Sequence, residues 1–104
     1  MSSPTARTLA EMRKRGYLVQ VVEKWIPAVK RRQDLYGFID VLAIREGEIV
    51  GVQATSGDNV ASRVAKIAEH EHVGAVRKAG IRILVHGWRR NAAGRWVLRE
   101  VDCS

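Results

Sequence analysis

Two strand-like segments separated by a helical pattern constrain the fold of this chain most strongly. Residues 49–55 (IVGVQAT) and 81–87 (IRILVHG) are rich in β-branched residues and long enough for buried strands. Between them, Val60, Val64 and Ile67 recur at the spacing of one helical face. A strand, a helix of about twenty residues and a second strand form a right-handed crossover, which makes the two strands parallel. The sequence therefore predicts an α/β fold with a partly parallel sheet.

The segment before this unit predicts one helix and two strands. Ser3 and Pro4 favour a helix start, and Gly16 favours its end. Residues 17–25 (YLVQVVEKW) are typical of a strand. Residues 38–44 (FIDVLAI) are nearly all apolar, which predicts a strand buried on both faces.

The remaining segments complete a single domain, 1–104, with the element order α-β-β-β-α-β-β. Residues 26–37 are predicted to form a loop, and residues 46–48 a hairpin turn. The helix after residue 59 is expected to bend at 70–72. Residues 95–101 (RWVLREV) predict an extra C-terminal strand. A chain of 104 residues allows one domain with one modest core.

The charge favours a polyanionic partner. Lys and Arg number 18 against 11 Asp and Glu, a formal net charge of +7. Such a domain gains affinity for nucleic acid by releasing counterions, although a basic surface also serves solubility alone. We expect no membrane partner, because no apolar run approaches the ~20 residues that a membrane-spanning helix needs. The single cysteine, Cys103, and the lack of a secretory leader predict a reducing compartment, the cytoplasm.

One acidic residue lies within an otherwise apolar strand. Burying the charge of Asp40 is costly unless the carboxylate is paired or binds a metal. Alternation along a strand places Asp40 on one face with Phe38, Leu42 and Ile44. The following hairpin is expected to bring Asp40 close to Gln53 on the next strand.

This stretch resembles the core of the PD-(D/E)XK nuclease superfamily, especially its small Holliday-junction-resolvase-like and VRR-type nucleases. The family has an aspartate in its second strand, then a hairpin, then Glu-x-Lys in its third strand. Asp40 matches the aspartate, and Gln53-Ala54-Thr55 stands as a degenerate Gln-x-Thr in place of Glu-x-Lys. The resemblance spans about residues 4–85. It implies a restriction-endonuclease-like α-β-β-β-α-β core, a mixed sheet flanked by helices.

The resemblance also implies a function. It indicates a Mg²⁺- or Mn²⁺-dependent DNA endonuclease that acts on branched or junction DNA, with a homodimer as its assembly. Asp40 and the amide oxygen of Gln53 would bind the metal. Thr55 would position the attacking water but cannot supply the charge of the family lysine. Lys66 is the first candidate for a substitute lysine and Lys24 the second.

Two further acids are candidate metal ligands. Thr5 falls where the family often has a glutamate in its first helix, so that ligand is missing. Asp34, in the loop before the second strand, and Glu23, in the first strand, could replace it. Alternatively, Asp34 pairs with Arg31 or Arg32, and Glu23 is a solvated strand residue.

Basic residues near this region are candidates for nucleic-acid binding. Lys30, Arg31 and Arg32 would contact phosphates from the loop before Asp40, and Arg63 would do so from the following helix. Each set is nearly as well explained as solvated surface charge. Two other function classes therefore stay open: a nuclease fold that binds nucleic acid without cutting it, and a basic protein-interaction module.

Three more residues are expected to serve the core. His86 lies in an apolar strand, which favours a hydrogen-bonded core histidine over a ligand. Trp88 and Trp96 are expected to form a cross-strand pair in the last hairpin.

Overall fold

A central sheet of five strands organises the structure, a computed structural model that describes residues 3–104. The helices and strands, in chain order, are α1 (Pro4–Lys14), β1 (Leu18–Val21), β2 (Lys24–Ile26), β3 (Arg31–Gln33), β4 (Val41–Arg45), β5 (Glu48–Ser56), α2 (Val60–Ala68), α3 (Val73–Lys78), β6 (Arg82–Arg90) and β7 (Trp96–Asp102). The strands of the central sheet lie in the order β1-β4-β5-β6-β7, and β2 and β3 form a separate two-stranded ribbon. Strands β5 and β6 are parallel, and the other neighbouring pairs are antiparallel. The predicted mixed sheet is therefore confirmed.

Helices cover both faces of the sheet. On one face, Met12 of α1 packs with the buried side chains of Val41, Val52 and Leu84. On the other face, Ile67 of α2 packs in a second cluster that includes residues of α3 and β6. The predicted flanking of the sheet by helices is confirmed. Within residues 3–104, no helix is long and apolar enough to cross a membrane.

The helix ends follow the local sequence. The side chain of Ser3 caps α1 by accepting a hydrogen bond from the Ala6 N–H at 3.1 Å. Gly16 follows α1 with a φ of +94°, a conformation that favours glycine. The predicted bend at residues 70–72 is confirmed as the break between α2 and α3.

The prediction of one strand over residues 17–25 is wrong. Strand β1 ends at Val21, and the Val22 N–H makes a last bond to the Asp40 carbonyl at 2.9 Å. The side chain of Glu23 then accepts a hydrogen bond from Arg32, and the chain leaves the sheet to form the ribbon. The predicted loop 26–37 accordingly contains strand β3. Local pairing within the ribbon replaces pairing with the sheet.

The prediction that residues 38–44 are buried on both faces is only partly right. Val41 and Ala43 are buried, but Leu42 is half-buried and Ile44 is 41% exposed. The exposed side lies toward the face covered by α2 and α3, and those helices pack against β5 and β6. The edge formed by β1 and β4 is left open on that side.

The last hairpin differs from the expected tryptophan pair. The register places Trp88 opposite Leu98 and Trp96 opposite Arg90. Trp96 instead lies under the Arg7 guanidinium, 3.7 Å from its ring centroid, a cation–π contact with α1.

His86 is a core histidine, as predicted, and it ties α1 to the sheet. The Trp88 indole N–H can only donate, and it donates to the Thr8 hydroxyl at 3.0 Å. That hydroxyl donates to His86 Nδ1 at 3.1 Å, and His86 Nε2–H donates to Glu100 at 2.8 Å. Burial lowers the pKa of His86, which favours the neutral ring that this chain of bonds requires.

Gly51 makes room for the residue before Asp40. A Cβ at Gly51 would lie 2.6 Å from Ile39 Cδ1 and 2.9 Å from Ile39 Cγ1, closer than carbon atoms pack. The fully buried Ile39 side chain thus packs directly over the backbone of β5. This packing helps to place Asp40 beside that strand.

We predict that Gly51→Ala lowers the free energy of unfolding by roughly 1–3 kcal/mol, because Ile39 must move in a packed core. The control is Gly74→Ala in α3, where an added Cβ meets open space. That change should raise stability by roughly 0.5–1 kcal/mol. Chemical denaturation measures both, and a Gly51→Ala variant as stable as the wild type would contradict this packing.

Candidate active site

A cleft of about 600 Å³ lies where the first turn of α1, the ribbon and the C-terminal end of β5 meet. Most of its lining residues are polar or charged; they are Ser3, Pro4, Thr5, Glu23, Arg32, Asp34, Asp40, Gln53, Ala54, Thr55, Ser56 and Arg63. Most of the residues singled out in the sequence therefore share one concave surface.

Asp40 is held from three sides. Its N–H donates to the Val52 carbonyl at 3.0 Å, and its carbonyl accepts from the Val22 N–H at 2.9 Å. Its carboxylate accepts a hydrogen bond from the Ala54 N–H at 2.9 Å. The residue is only 5% exposed. Asp40 comes just before β4 rather than within it, yet its position is fixed by both neighbouring strands.

Three carboxyl groups meet in the cleft and form the carboxylate cluster, Glu23, Asp34 and Asp40. One oxygen of each lies within 4.8 Å of one from each of the others. Arg32 donates to Glu23 at 2.9 Å, so it pairs with Glu23 rather than with Asp34. Arg32 is exposed, and Glu23 is mostly covered. The two acids expected as extra ligands are thus brought to Asp40, and they could hold a divalent cation with it.

Burial and the neighbouring acids raise the pKa of Asp40 to about 8. Burial is the main cause, because it disfavours the charged form. A hydrogen bond with Asp34 and the nearby charges of Asp34 and Glu23 add to the effect, while the Ala54 N–H opposes it. At pH 7 this group therefore keeps its proton unless a cation takes the proton's place.

Gln53 and Thr55 also reach the cleft. Asp40 bonds to Val52 and Ala54, the residues on either side of Gln53, so it lies beside Gln53 at the edge of the cleft. Gln53 and Thr55 are each 6% exposed, and both line the cleft. Their amide and hydroxyl groups are thus available to a ligand beside the carboxylate cluster.

The candidate lysines lie elsewhere. Lys66 is exposed on α2 and does not line the cleft, whereas Arg63, one turn earlier, does. Lys24 is exposed on β2 and also lies outside the lining. No described lining residue is a lysine, so Arg32 and Arg63 carry the positive charge of the cleft.

The basic residues of the predicted loop belong to the ribbon. Lys30 follows its turn in a left-handed conformation, with a φ of +50°, and is exposed. Arg31 is exposed on β3 and lines a second, smaller pocket with Arg32 and Asp34. The ribbon therefore presents its positive charge beside the cleft.

The sequence did not single out Trp25. It lies on β2 opposite Arg32 and is 54% exposed. In the sequence it is the last residue of segment 17–25, which was predicted to be one strand. Its flanking residues Lys24 and Pro27 were the available signal, since a cation and a proline favour an edge or a turn over a central strand.

No family model matches the chain, and no match is found among curated proteins. The residues of the cleft and their geometry therefore carry the functional assignment.

We predict that Asp40→Asn stabilises the protein without metal, increasingly as pH rises toward 8. Folded Asp40 binds its proton up to about pH 8, whereas the carboxyl of the unfolded chain releases it near 3.8. The folded state thus holds the extra proton in this window, so wild-type stability falls as pH rises through it. Each 1 kcal/mol corresponds to roughly 4–8 °C in the midpoint of thermal unfolding.

The measurement is the difference in unfolding midpoint between Asp40→Asn and wild type at several pH values from 5 to 8, in chelator. Asp58→Asn, an exposed change outside the cluster, is the control and should give a constant difference. A variant no more stable than wild type at pH 8 would exclude a raised pKa of Asp40 in the folded protein.

Proposed function

We propose that this protein is a metal-dependent nuclease that hydrolyses phosphodiester bonds in DNA, with branched or junction DNA as its substrate. The observation that carries the proposal is the carboxylate cluster around the 5% exposed Asp40, in an open cleft that also contains Arg32 and Arg63. Such a site combines ligands for a hard cation with groups that bind phosphate.

The cleft suits Mg²⁺ or Mn²⁺ by its chemistry. All three members of the cluster offer carboxylate oxygens, and Gln53 lines the same cleft. Hard divalent cations prefer such oxygen ligands. A cation would also favour the charged form of Asp40, whose pKa burial and the neighbouring acids raise.

Separate residues have separate parts in the proposed reaction. When bound, the metal supplies a water of lowered pKa and offsets charge on the attacked phosphate. Asp40, Asp34, Glu23 and Gln53 would hold the metal. Thr55 accepts a hydrogen bond from the attacking water and orients it. Arg32 and Arg63 contact phosphate oxygens and stabilise the charge that develops there.

The arrangement of elements adds support to the resemblance with PD-(D/E)XK nucleases. Asp40 precedes a hairpin whose second strand, β5, contributes Gln53 and Thr55 to the same cleft. The main sheet follows α1 with three antiparallel strands, then the helices, then a parallel strand. This order agrees with a restriction-endonuclease-like core, with β2 and β3 as an insertion.

One observation favours the second candidate, a fold that binds nucleic acid without cutting it. Thr55 stands where the family has its lysine, and the described lining of the cleft contains no other lysine. The two candidates share the cleft and the basic ribbon but differ in their need for Asp40.

We predict that the wild type nicks flapped or four-way DNA with Mg²⁺ or Mn²⁺, and that Asp40→Asn lowers the rate at least about 100-fold, since a ligand carboxylate is removed. A gel assay on linear, flapped and four-way DNA measures this. Asp58→Asn should cut normally, and chelator should stop cleavage.

Equal rates for wild type and Asp40→Asn would remove this mechanism. Metal-independent binding of DNA with no cutting by either protein would select the second candidate. Little affinity for DNA at moderate salt would exclude both candidates and favour the third function class, a basic protein-interaction module.

We predict that replacing Lys30, Arg31 and Arg32 together with alanine weakens binding to all DNA sequences alike. The slope of log affinity against log salt should also become shallower, by about one for each phosphate that the variant no longer neutralises. Fluorescence anisotropy at several salt concentrations measures both quantities.

The matched control replaces Arg13, Lys14 and Lys78, three exposed basic residues at the C-terminal ends of α1 and α3. It removes the same charge from residues that do not line the cleft. Equal effects of the two triple variants would show that net charge alone, and not the ribbon, sets the affinity.

A further inference from the structure

The ribbon presents a large aromatic surface to solvent. Trp25 is 54% exposed, and Val29 at the turn is exposed to the same extent. Exposure of an indole ring leaves apolar surface in water that a partner could cover. Within β2 and β3, Trp25 is opposite Arg32, so the two side chains project from the same face.

The charge around Trp25 indicates the chemistry of that partner. Residues 24–33 contain four basic side chains, Lys24, Lys30, Arg31 and Arg32, and no acid. A flat aromatic ring among cations matches a polynucleotide, whose bases stack on aromatic side chains while its phosphates contact Lys and Arg. A basic or purely apolar partner would meet uncompensated positive charge.

The position of the ring relates it to the cleft. Arg32, the cross-strand neighbour of Trp25, donates to Glu23 of the carboxylate cluster at 2.9 Å. A base on Trp25 would therefore belong to a nucleotide close to the phosphate in the cleft. A base within a duplex has both faces covered by its neighbours, so away from the end of a duplex only an unpaired base can stack on the ring.

We infer that Trp25 stacks on an unpaired nucleobase next to the cleft, so that the substrate is a polynucleotide with single-stranded nucleotides at that point. The inference rests on the proposed function, because it takes the cleft to bind nucleic acid. It goes further by assigning recognition of unpaired nucleotides to a residue of the ribbon.

The test is the affinity of the wild type, Trp25→Ala and Trp25→Phe for three labelled probes in chelator: single-stranded DNA, single-stranded RNA and a blunt DNA duplex. Trp25→Ala should weaken single-strand binding about 5- to 150-fold, which corresponds to roughly 1–3 kcal/mol for one stacked base. Duplex binding should change less than about twofold. Trp25→Phe should recover most of the affinity because it keeps an aromatic face.

Two further measurements sharpen the result. Trp96→Ala removes a partly exposed indole that packs against Arg7, outside the ribbon, and should leave single-strand affinity unchanged. Binding of single strands should quench the wild-type tryptophan fluorescence, and Trp25→Ala should abolish that quenching. The DNA and RNA probes show which source of unpaired nucleotides the ribbon prefers.

The outcomes separate this inference from the proposed function. If Trp25→Ala binds single strands as the wild type does, or weakens single-strand and duplex binding equally, stacking is excluded while the nuclease proposal stands. If the wild type binds none of the three probes, the stacking inference is overturned, while the cleavage assay on flapped and four-way DNA with metal still decides the nuclease proposal. A weakening confined to single strands, with recovery in Trp25→Phe, supports the inference.

Discussion

The hydrogen bonds around Asp40 are the interactions on which the site depends. Bonds to Val22 and Val52 fix its backbone between two strands, and the Ala54 N–H fixes its carboxylate. Because Ala54 lies between Gln53 and Thr55, the same strand that anchors the acid also presents the amide and the hydroxyl. The sheet thus fixes the positions of Asp40, Gln53 and Thr55 relative to one another, whereas Glu23 and Asp34 lie outside its strands.

The site concentrates negative charge inside a positively charged domain. The chain carries a net charge of +7, yet three carboxyl groups share one hollow. A polyanion attracted from a distance is therefore repelled inside the hollow unless protons, Arg32 or a cation neutralise the cluster. Under the proposed function, cation and nucleic acid each favour the binding of the other.

The sequence predicted the elements governed by local pattern and strand alternation. The crossover, the ends of α1 and the closeness of Asp40 to Gln53 follow from spacing along the chain. The ribbon could not be predicted in this way, because strands of three residues are too short to show a periodic pattern. The pairing of Glu23 with Arg32 at the point where the chain leaves the sheet is a tertiary contact that the local pattern does not show. The sequence also could not show that Arg63, and not Lys66, lines the cleft. Tertiary packing determines which face of α2 is turned toward the cleft.

The link from Trp88 through Thr8 and His86 to Glu100 has a mechanical consequence for the cleft. Glu100 also accepts a hydrogen bond from Arg15 at 2.7 Å. Hydrogen bonds therefore join the sheet to α1 both near the middle of the helix and at its C-terminal end. Sliding or rotation of α1 would break the buried hydrogen bonds of Thr8. The first turn of α1 is therefore a rigid side of the cleft. The ribbon opposite packs chiefly against itself. The ribbon is therefore less firmly held than α1. Under the proposed function, adjustment to ligands of different shape is expected in the ribbon, which contains Trp25.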